Sequence, residues 1–283
     1  MNDINNKPNK YNDHGVFPAQ TKDLTDYFGQ PTSEEEQLYL EYFKYTFPLI
    51  KTTQGLGLVR TFLDKSGNEF CAAFTFDPEF ISSICQHGFY PMSTMFNGKP
   101  VLLIKAHRQR CILILKNLHI SRKAKKKSHP FTLTVDKAFD QCLTCINEQH
   151  DDNWLYPPLA ESFKAIFYSG QFKTRLHSIE LWEKDILVAG EIGFVVGGSY
   201  ASLSGFYNKD SAGTIQMCAT GKLLMQCGFV FWDLGMSLEY KLRLGANVVQ
   251  GDRFLQIHRT IREKKPQLVC KGVNARKMID GPI

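Results

Sequence analysis

The chain has 283 residues, 43% hydrophobic and 22% charged, with a formal net charge of +6. That length buries a sizeable core in one large domain or two smaller ones, and the composition excludes a disordered or fibrous protein. The longest apolar runs are too short to cross a bilayer, so no membrane-spanning chain is expected.

In chain order, residues 1–32 are rich in Asn, Lys, Asp and Pro and read as a flexible tail, with Tyr27 and Phe28 as candidates for local packing. Ser33 ahead of Glu34, Glu35 and Glu36 caps a helix whose Leu, Tyr and Phe residues recur at helical spacing to Phe47. A strand pair is predicted over 58–63 and 69–74, then a helix opened by Asp77-Pro78 and ended by Gly88. Strands at 101–104 and 111–115 flank the polar turn at His107, Arg108 and Gln109. Together, 33–117 read as a small α+β lobe.

A second lobe, 118–260, is expected to hold most of the sheet. Residues 131–135 alternate as a strand, and Asp136 is placed to cap a helix over 137–149. Another helix spans 159–169. The segment 175–206 supplies three strands, with a break at Glu183-Lys184-Asp185 and a turn at Gly197-Gly198. Its middle strand is nearly all apolar, as in a strand covered on both sides. Gly190 and Gly193 within it mark a bulge or a close approach by a ligand. Asp210-Ser211 caps a helix over 212–227, as an ordinary cap in preference to a phosphate site. A short strand at 229–233 and a helix at 238–244 complete the lobe. Residues 261–283, with Lys264-Lys265-Pro266, read as a mobile basic tail. The expected fold class is α+β, a mixed sheet with helices on both faces.

Charge is unevenly spread. Between Phe80 and Val135 there is no Asp or Glu, while Lys99, Lys105, Arg108, Arg110, Lys116, Arg122, Lys123, Lys125, Lys126 and Lys127 fall in that window. A one-signed basic stretch of this length is the footprint of a phosphate-rich partner. Of the eight cysteines only Cys142 and Cys145 lie close, and nothing completes a zinc site, so no metal is expected. No secretory leader is read, which points to reduced thiols and a cytoplasmic location. His177 and Glu180 fall on opposite faces of their strand, so they cannot act as a close acid–base pair and at least one is structural.

Leu118-His119-Ile120-Ser121-Arg122, the VDKAF run from Val135 to Phe139, Trp154, His177-Ser178-Ile179-Glu180 with Trp182, Leu187-Val188 with Gly190 and Gly193, Ser204 with Phe206, Asp233, and Leu244-Gly245-Ala246 occur in a telling order and spacing. In these residues the chain resembles the leucyl/phenylalanyl-tRNA–protein transferase family over about 80–255. The resemblance implies a catalytic lobe similar to the GNAT-type acetyltransferases. It also implies transfer of an aminoacyl group from tRNA to the N-terminal amine of a protein, with basic N-termini as acceptors, marking that protein for degradation. No cofactor is implied, and a monomer without membrane association is expected.

By the same resemblance Asp233, Glu191 and Ser204 are the candidate catalytic residues. Trp154, Phe163, Tyr200, Leu203, Phe206 and Gly235 are the candidate substrate-binding residues. Lys105, Arg108, Arg110, Arg122, Lys123, Lys125, Lys126 and Lys127 are candidates for tRNA. The reaction is aminolysis of an activated ester, which needs a held 3′ end, a neutral amine and fixed donors for the oxyanion. Trp154 suits stacking on the terminal adenosine, and Asp233, ending an internal strand, suits orienting the amine or accepting its proton.

The chain also departs from the family. The paired Trp of the family are here Ile104 and Lys105, its Tyr is Phe163, and its catalytic Gln is Gly235. Its Glu before the Ser-x-Phe segment is Leu203 and its Met after the glycines is Glu191. Folding back at Gly197-Gly198 would bring Glu191 near Ser204, so that a carboxylate has moved from one strand to its neighbour. Two other readings compete: a catalytically silent RNA-binding protein of the same fold, and a coenzyme-A acetyltransferase. The acetyltransferase needs a pyrophosphate loop before a helix, and 208–213 supplies only a poor one.

Overall fold

The computed structural model describes residues 33–43, 47–150 and 154–281. The stretch expected as a flexible tail, Tyr27 and Phe28 included, lies outside them. Helix α1 (Glu34–Phe43) begins as the sequence predicts, Ser33 Oγ accepting the Glu36 amide at 3.1 Å. The first of the two predicted N-terminal strands is instead helical. A 3-10 turn (Gln54–Leu58) runs into α2 (Val59–Ser66), and Leu56, Val59 and Leu63 are all buried. Spacings of three and four residues are those of a helix face, not of a strand. Gly67, at φ 73°, ends it. After β1 (Phe70–Ala73) comes α3 (Pro78–Gln86), where Asp77 accepts the Phe80 amide at 3.2 Å. Then β2 (Tyr90–Phe96) and β3 (Lys99–Lys105) complete a three-stranded sheet ordered β1-β3-β2.

The strands β4 (Gln109–Ile114), β5 (Phe131–Val135), β6 (Arg175–Glu183), β7 (Ile186–Val196), β8 (Ser199–Tyr207), β9 (Phe231–Asp233), β10 (Asn247–Gln250) and β11 (Val273–Asn274) form a second sheet. Its order is β10-β4-β9-β8-β7-β6-β5-β11, antiparallel except where β8 lies beside β9. Interleaved in the chain are α4 (Arg122–Lys127), α5 (Phe139–Gln149), α6 (Pro157–Ser169), α7 (Ala212–Gln226), α8 (Glu239–Arg243), α9 (Gly251–Thr260) and α10 (Ala275–Asp280). Ile192 and Phe194 of β7 pack with Phe139, Phe163, Ile81 and Leu102 on what we call the front face. Val188, Leu181, Ile215, Leu223 and Met278 pack on the back. The fold is α+β, a large mixed sheet flanked by helices.

Several sequence expectations change here. β4 lies within the stretch read as the small lobe, yet it pairs with β9 and β10 of the large sheet. The reason is that Cys111 and Leu113 face the back core beside Trp232. The segment 261–283 is not a loose basic tail over its described part. β11 pairs with β5, and Ala275, Met278 and Ile279 of α10 are buried. Asp136 does not cap α5: at φ 60° it accepts the Ser178 amide and meets His177 Nδ1 at 2.8 Å. Glu180 holds the approach to α5 instead, accepting the Lys137 and Ala138 amides at 3.2 Å and the Thr134 and Ser178 hydroxyls at 2.5 Å. Ser211 makes no side-chain cap either, because it sits at φ 66° and takes a bond from Lys127.

Candidate active site

β8 and β9 run together for only three residue pairs: Ser199 with Phe231, Tyr200 with Trp232, Ala201 with Asp233. β9 then stops, while β8 continues along β7 to Tyr207. The parallel strands part, and a notch opens in the middle of the sheet. Where neighbouring strands diverge, open sheets collect ligands. The far end of the notch is closed by side chains from the end of α5. Gly205 O accepts from His150 Nε2 at 3.2 Å, and the Tyr207 amide donates to Gln149 Oε1 at 2.8 Å. A register shift at Ile192 and Gly193 pairs Ser202 with Gly193 and Ser204 with Ile192, which leaves Leu203 as the extra residue.

Gly193 and Gly190 make room for the protein itself rather than for a ligand. A Cβ at 193 would meet the Tyr200 ring at 2.5 Å, and one at 190 would meet Phe206 at 2.9 Å and Cys142 Sγ at 3.0 Å.

Asp233 ends β9 on the front face, buried and paired. Its Oδ2 accepts from Arg110 Nε at 3.0 Å and faces Arg110 Nη2 at 3.0 Å, while its Oδ1 accepts the Gly235 amide at 3.0 Å. Arg110 also donates to Gly88 O and His107 Nδ1, both at 2.6 Å. Its guanidinium lies between the rings of Tyr90, at 4.4 Å, and Phe254, at 4.3 Å. Arg110 is 1% exposed, so it is no tRNA contact. It is the cation that allows Asp233 to be buried. Burial pushes the Asp233 carboxyl up, opposed by Arg110 and the Gly235 amide. Burial and Arg110 hold His107 far below the usual histidine range, so it stays neutral and accepts.

Gly235 has φ 66°, and a Cβ there would lie 3.3 Å from the Tyr90 hydroxyl. The Tyr90 ring therefore fills the volume that a side chain at 235 would enter. That hydroxyl is buried and closes no hydrogen bond; burial and Asp233 push its pKa well above the usual tyrosine value.

Glu191 faces the back. Its Oε2 accepts from Ser202 Oγ at 2.8 Å, and the same oxygen of Ser202 accepts from Trp232 Nε1 at 2.8 Å. Glu191 Oε1 and the neighbouring Tyr200 hydroxyl, both buried, close no hydrogen bond. Burial pushes the Glu191 carboxyl up to about 7, opposed by Ser202, Gln216 and Tyr200. Lys241 lies near enough to feel both Glu191 and Asp233, its Nζ donating to Leu234 O at 2.6 Å and Met236 O at 2.9 Å, with burial lowering its pKa. Glu191 is paired with Gly205, and Leu203 packs against the front core. The two lie on opposite faces, so Glu191 does not fill the place left at Leu203, and it does not meet Ser204.

On the front face Trp154, Phe163, Leu203 and Phe206 share one core. The Trp154 and Phe163 ring centroids are 6.4 Å apart, and Trp154 O is held by the Ser93 amide at 2.8 Å and Ser93 Oγ at 2.7 Å. Ser204 Oγ is 3.3 Å from His150 Nε2. Tyr200 is the substrate-binding candidate that turns to the back. The structure thus brings together the aromatic set but separates Glu191 from Asp233 and Ser204 by the thickness of the sheet. Of the basic candidates, Arg122, Lys123 and Lys126 on α4 are exposed. Lys125 faces Asp280 at 3.7 Å and Lys127 meets Asp210 at 2.7 Å. Lys105 is half-buried over Phe70, and exposed Arg108 donates to Gly67 O. A cavity of about 300 Å³ opens away from the notch, at the start of β6, beside His177 and Asp136.

The sequence pattern of the family described as leucyl/phenylalanyl-tRNA protein transferase matches residues 112–259, more than half of the chain, and that span holds the parted strands and Asp233. The chain belongs to this family. A leucyl/phenylalanyl-tRNA–protein transferase of Pectobacterium carotovorum subsp. carotovorum is 30% identical over 162 residues, covering 56% of this chain and 67% of that protein. One from Legionella pneumophila strain Lens is 27% identical over 218 residues, covering 75% and 90%. Among solved structures, FemX superposes with a TM-score of 0.38 at 9% identity, over 75% of this chain and 82% of that one.

Sequence reasoning missed Tyr90, His107 and Lys241 around Asp233, and Gln216 beside Glu191. Tyr90 and His107 stand in or beside the small sheet, and no local pattern ties them to a strand end over a hundred residues away. Arg110 carried a signal in retrospect, as a lone cation directly ahead of the continuous apolar run of β4. Among the described residues no group of three or more His, Cys, Asp or Glu is placed to hold a metal ion, and no helix is long and apolar enough to cross a membrane.

Proposed function

We propose that the protein transfers an aminoacyl group from tRNA to the N-terminal amine of a polypeptide, with basic N-termini as acceptors. The observation that carries this reading is the family match across the notch, with an intact Asp233 at its mouth. Trp154 stacks on the terminal adenosine and exposed Arg122, Lys123 and Lys126 hold the tRNA backbone. Bond making is attack of a neutral amine on the ester carbonyl, and bond breaking releases the 3′ oxygen of the tRNA, which takes a proton. Asp233 Oδ1 accepts the Gly235 amide, and its second lone pair suits orienting the amine. The reading places the protein in the cytoplasm as a monomer.

The test mixes purified protein, labelled aminoacyl-tRNAs and peptides beginning with Arg, Lys or Met. Label on a peptide, lost in Asp233→Asn, supports the reading. Asn is preferred to Ala because its carboxamide oxygen still accepts from the buried Arg110 guanidinium. A silent RNA-binding protein is the second reading, favoured by the Arg110 grip on Asp233. Equal binding of charged and uncharged tRNA, with no label on any peptide, would select it.

A further inference from the structure

The cavity at the start of β6 exists because two neighbouring strands differ in length. β5 ends with Val135 opposite Ile179, whereas β6 begins earlier, at Arg175. Over 175–177 β6 pairs with β7 alone. Ile166, Phe167 and Gly170, at the end of α6, wall the gap, which holds about 300 Å³. Polar groups converge on this space. The Asp136 amide donates to Ser178 O at 3.0 Å. Main-chain groups of alternate residues in a ladder point to the same neighbour, so the amide and carbonyl of Leu176 also point into the gap, where no strand meets them. Asp136, at φ 60°, turns its carboxylate back on β6 and holds His177 Nδ1 at 2.8 Å. A carboxylate on one ring nitrogen fixes the imidazole and leaves Nε2 for a ligand. Arg175 is exposed, lines the same space and closes no ion pair among the described residues.

We infer that this cavity is a second binding site, separate from the notch, for a carboxylate joined to an apolar side chain. The Arg175 guanidinium and the Leu176 amide grip the carboxylate, and His177 Nε2, with a proton taken from solvent, donates to it as well. The side chain lies against Phe167 and Ile166. A phosphate dianion suits the site less, because Asp136 already stands beside the imidazole. The volume is at the small end of ligand pockets, room for one amino-acid residue and not for a folded partner. The acid is therefore either a free small molecule or the last residue of a polypeptide laid along the open edge of β6.

The experiment is calorimetric titration of the full chain with N-acetyl-leucine, an acetylated pentapeptide ending in Leu, the amide of each, and inorganic phosphate. At least one acid should bind saturably, with its amide weaker by about tenfold or more. Arg175→Gln, at an exposed position, should cost about tenfold in affinity for that acid without moving the melting temperature, and His177→Ala should weaken it too. If the blocked amino acid binds as well as the peptide, the ligand is a small acid; if the peptide alone binds, it is a chain terminus. Saturation by neither acid, amides that bind as well as acids, phosphate that binds more tightly than either acid, or an Arg175→Gln affinity equal to wild type overturns the inference. Transfer activity plays no part in the readout, so either outcome leaves the transfer reading where it stands.

Discussion

Asp233, Arg110, Glu191 and Tyr90 are four buried polar side chains near the notch, and each predicts a different response to mutation. Arg110→Ala and Asp233→Ala each leave an unpaired buried charge and should cost about 3–5 kcal/mol in urea unfolding, while Asp233→Asn, which keeps an acceptor for Arg110, should cost less. Tyr90→Phe removes a buried hydroxyl whose one interaction, with the Asp233 carboxyl, falls short of full hydrogen-bond geometry, so its melting temperature should stay close to that of wild type. A marked drop would mean that the phenol is bonded after all. Glu191 makes stability depend on pH. Its carboxyl titrates near 4.5 when unfolded and at about 7 when folded, so between these values the native state holds the extra proton. Stability from the neutral form is full below the unfolded value and falls as pH rises towards the folded one, by up to about 3 kcal/mol. Glu191→Gln should lack that slope when unfolding midpoints are compared across pH 4.5–7.5.

At the scale of elements, legibility followed the range of the signal. The hairpin succession of β6, β7 and β8 was readable because alternation and the Gly197-Gly198 turn are local. Residues 58–63 were misread because a short apolar run fits either period, and burial of Val59 with Leu63 decided for the helix. The turn into α5 is not legible locally because the carboxylate that holds it, Glu180, comes from a strand about forty residues later. The same limit hid the partner of Glu191: the extra residue Leu203 in β8 moves Ser204 opposite Ile192, on the other face, and leaves Glu191 opposite Gly205. α10 reads as tail because Lys and Pro precede it, though Ala275, Met278 and Ile279 are at helical spacing for the back core. Ile279→Ala should cost about 2–4 kcal/mol, measured by chemical denaturation. A tail residue would cost nothing.

Across the whole molecule, the basic window divides. Arg110 is core, Lys105 lies half-buried on the small sheet, and α4 presents Arg122, Lys123 and Lys126 to solvent. Replacing those three by Ala should weaken tRNA binding and flatten its dependence on log salt concentration by about 2–3 units of slope, read by filter binding. The acid-free stretch was visible in the sequence, but which of its charges face water was not. The placement of β4 has a further consequence, in time rather than space. It waits between β9 and β10, strands that come more than a hundred residues later in the chain, so that half of the sheet cannot close until distant segments have met. Such long loops are costly to close before their contacts form, and refolding should be slow, with milliseconds to seconds as the scale for nonlocal β topologies. A fragment beginning at Leu118 would lack the strand on which β9 and β10 assemble, and would collapse without finding its register.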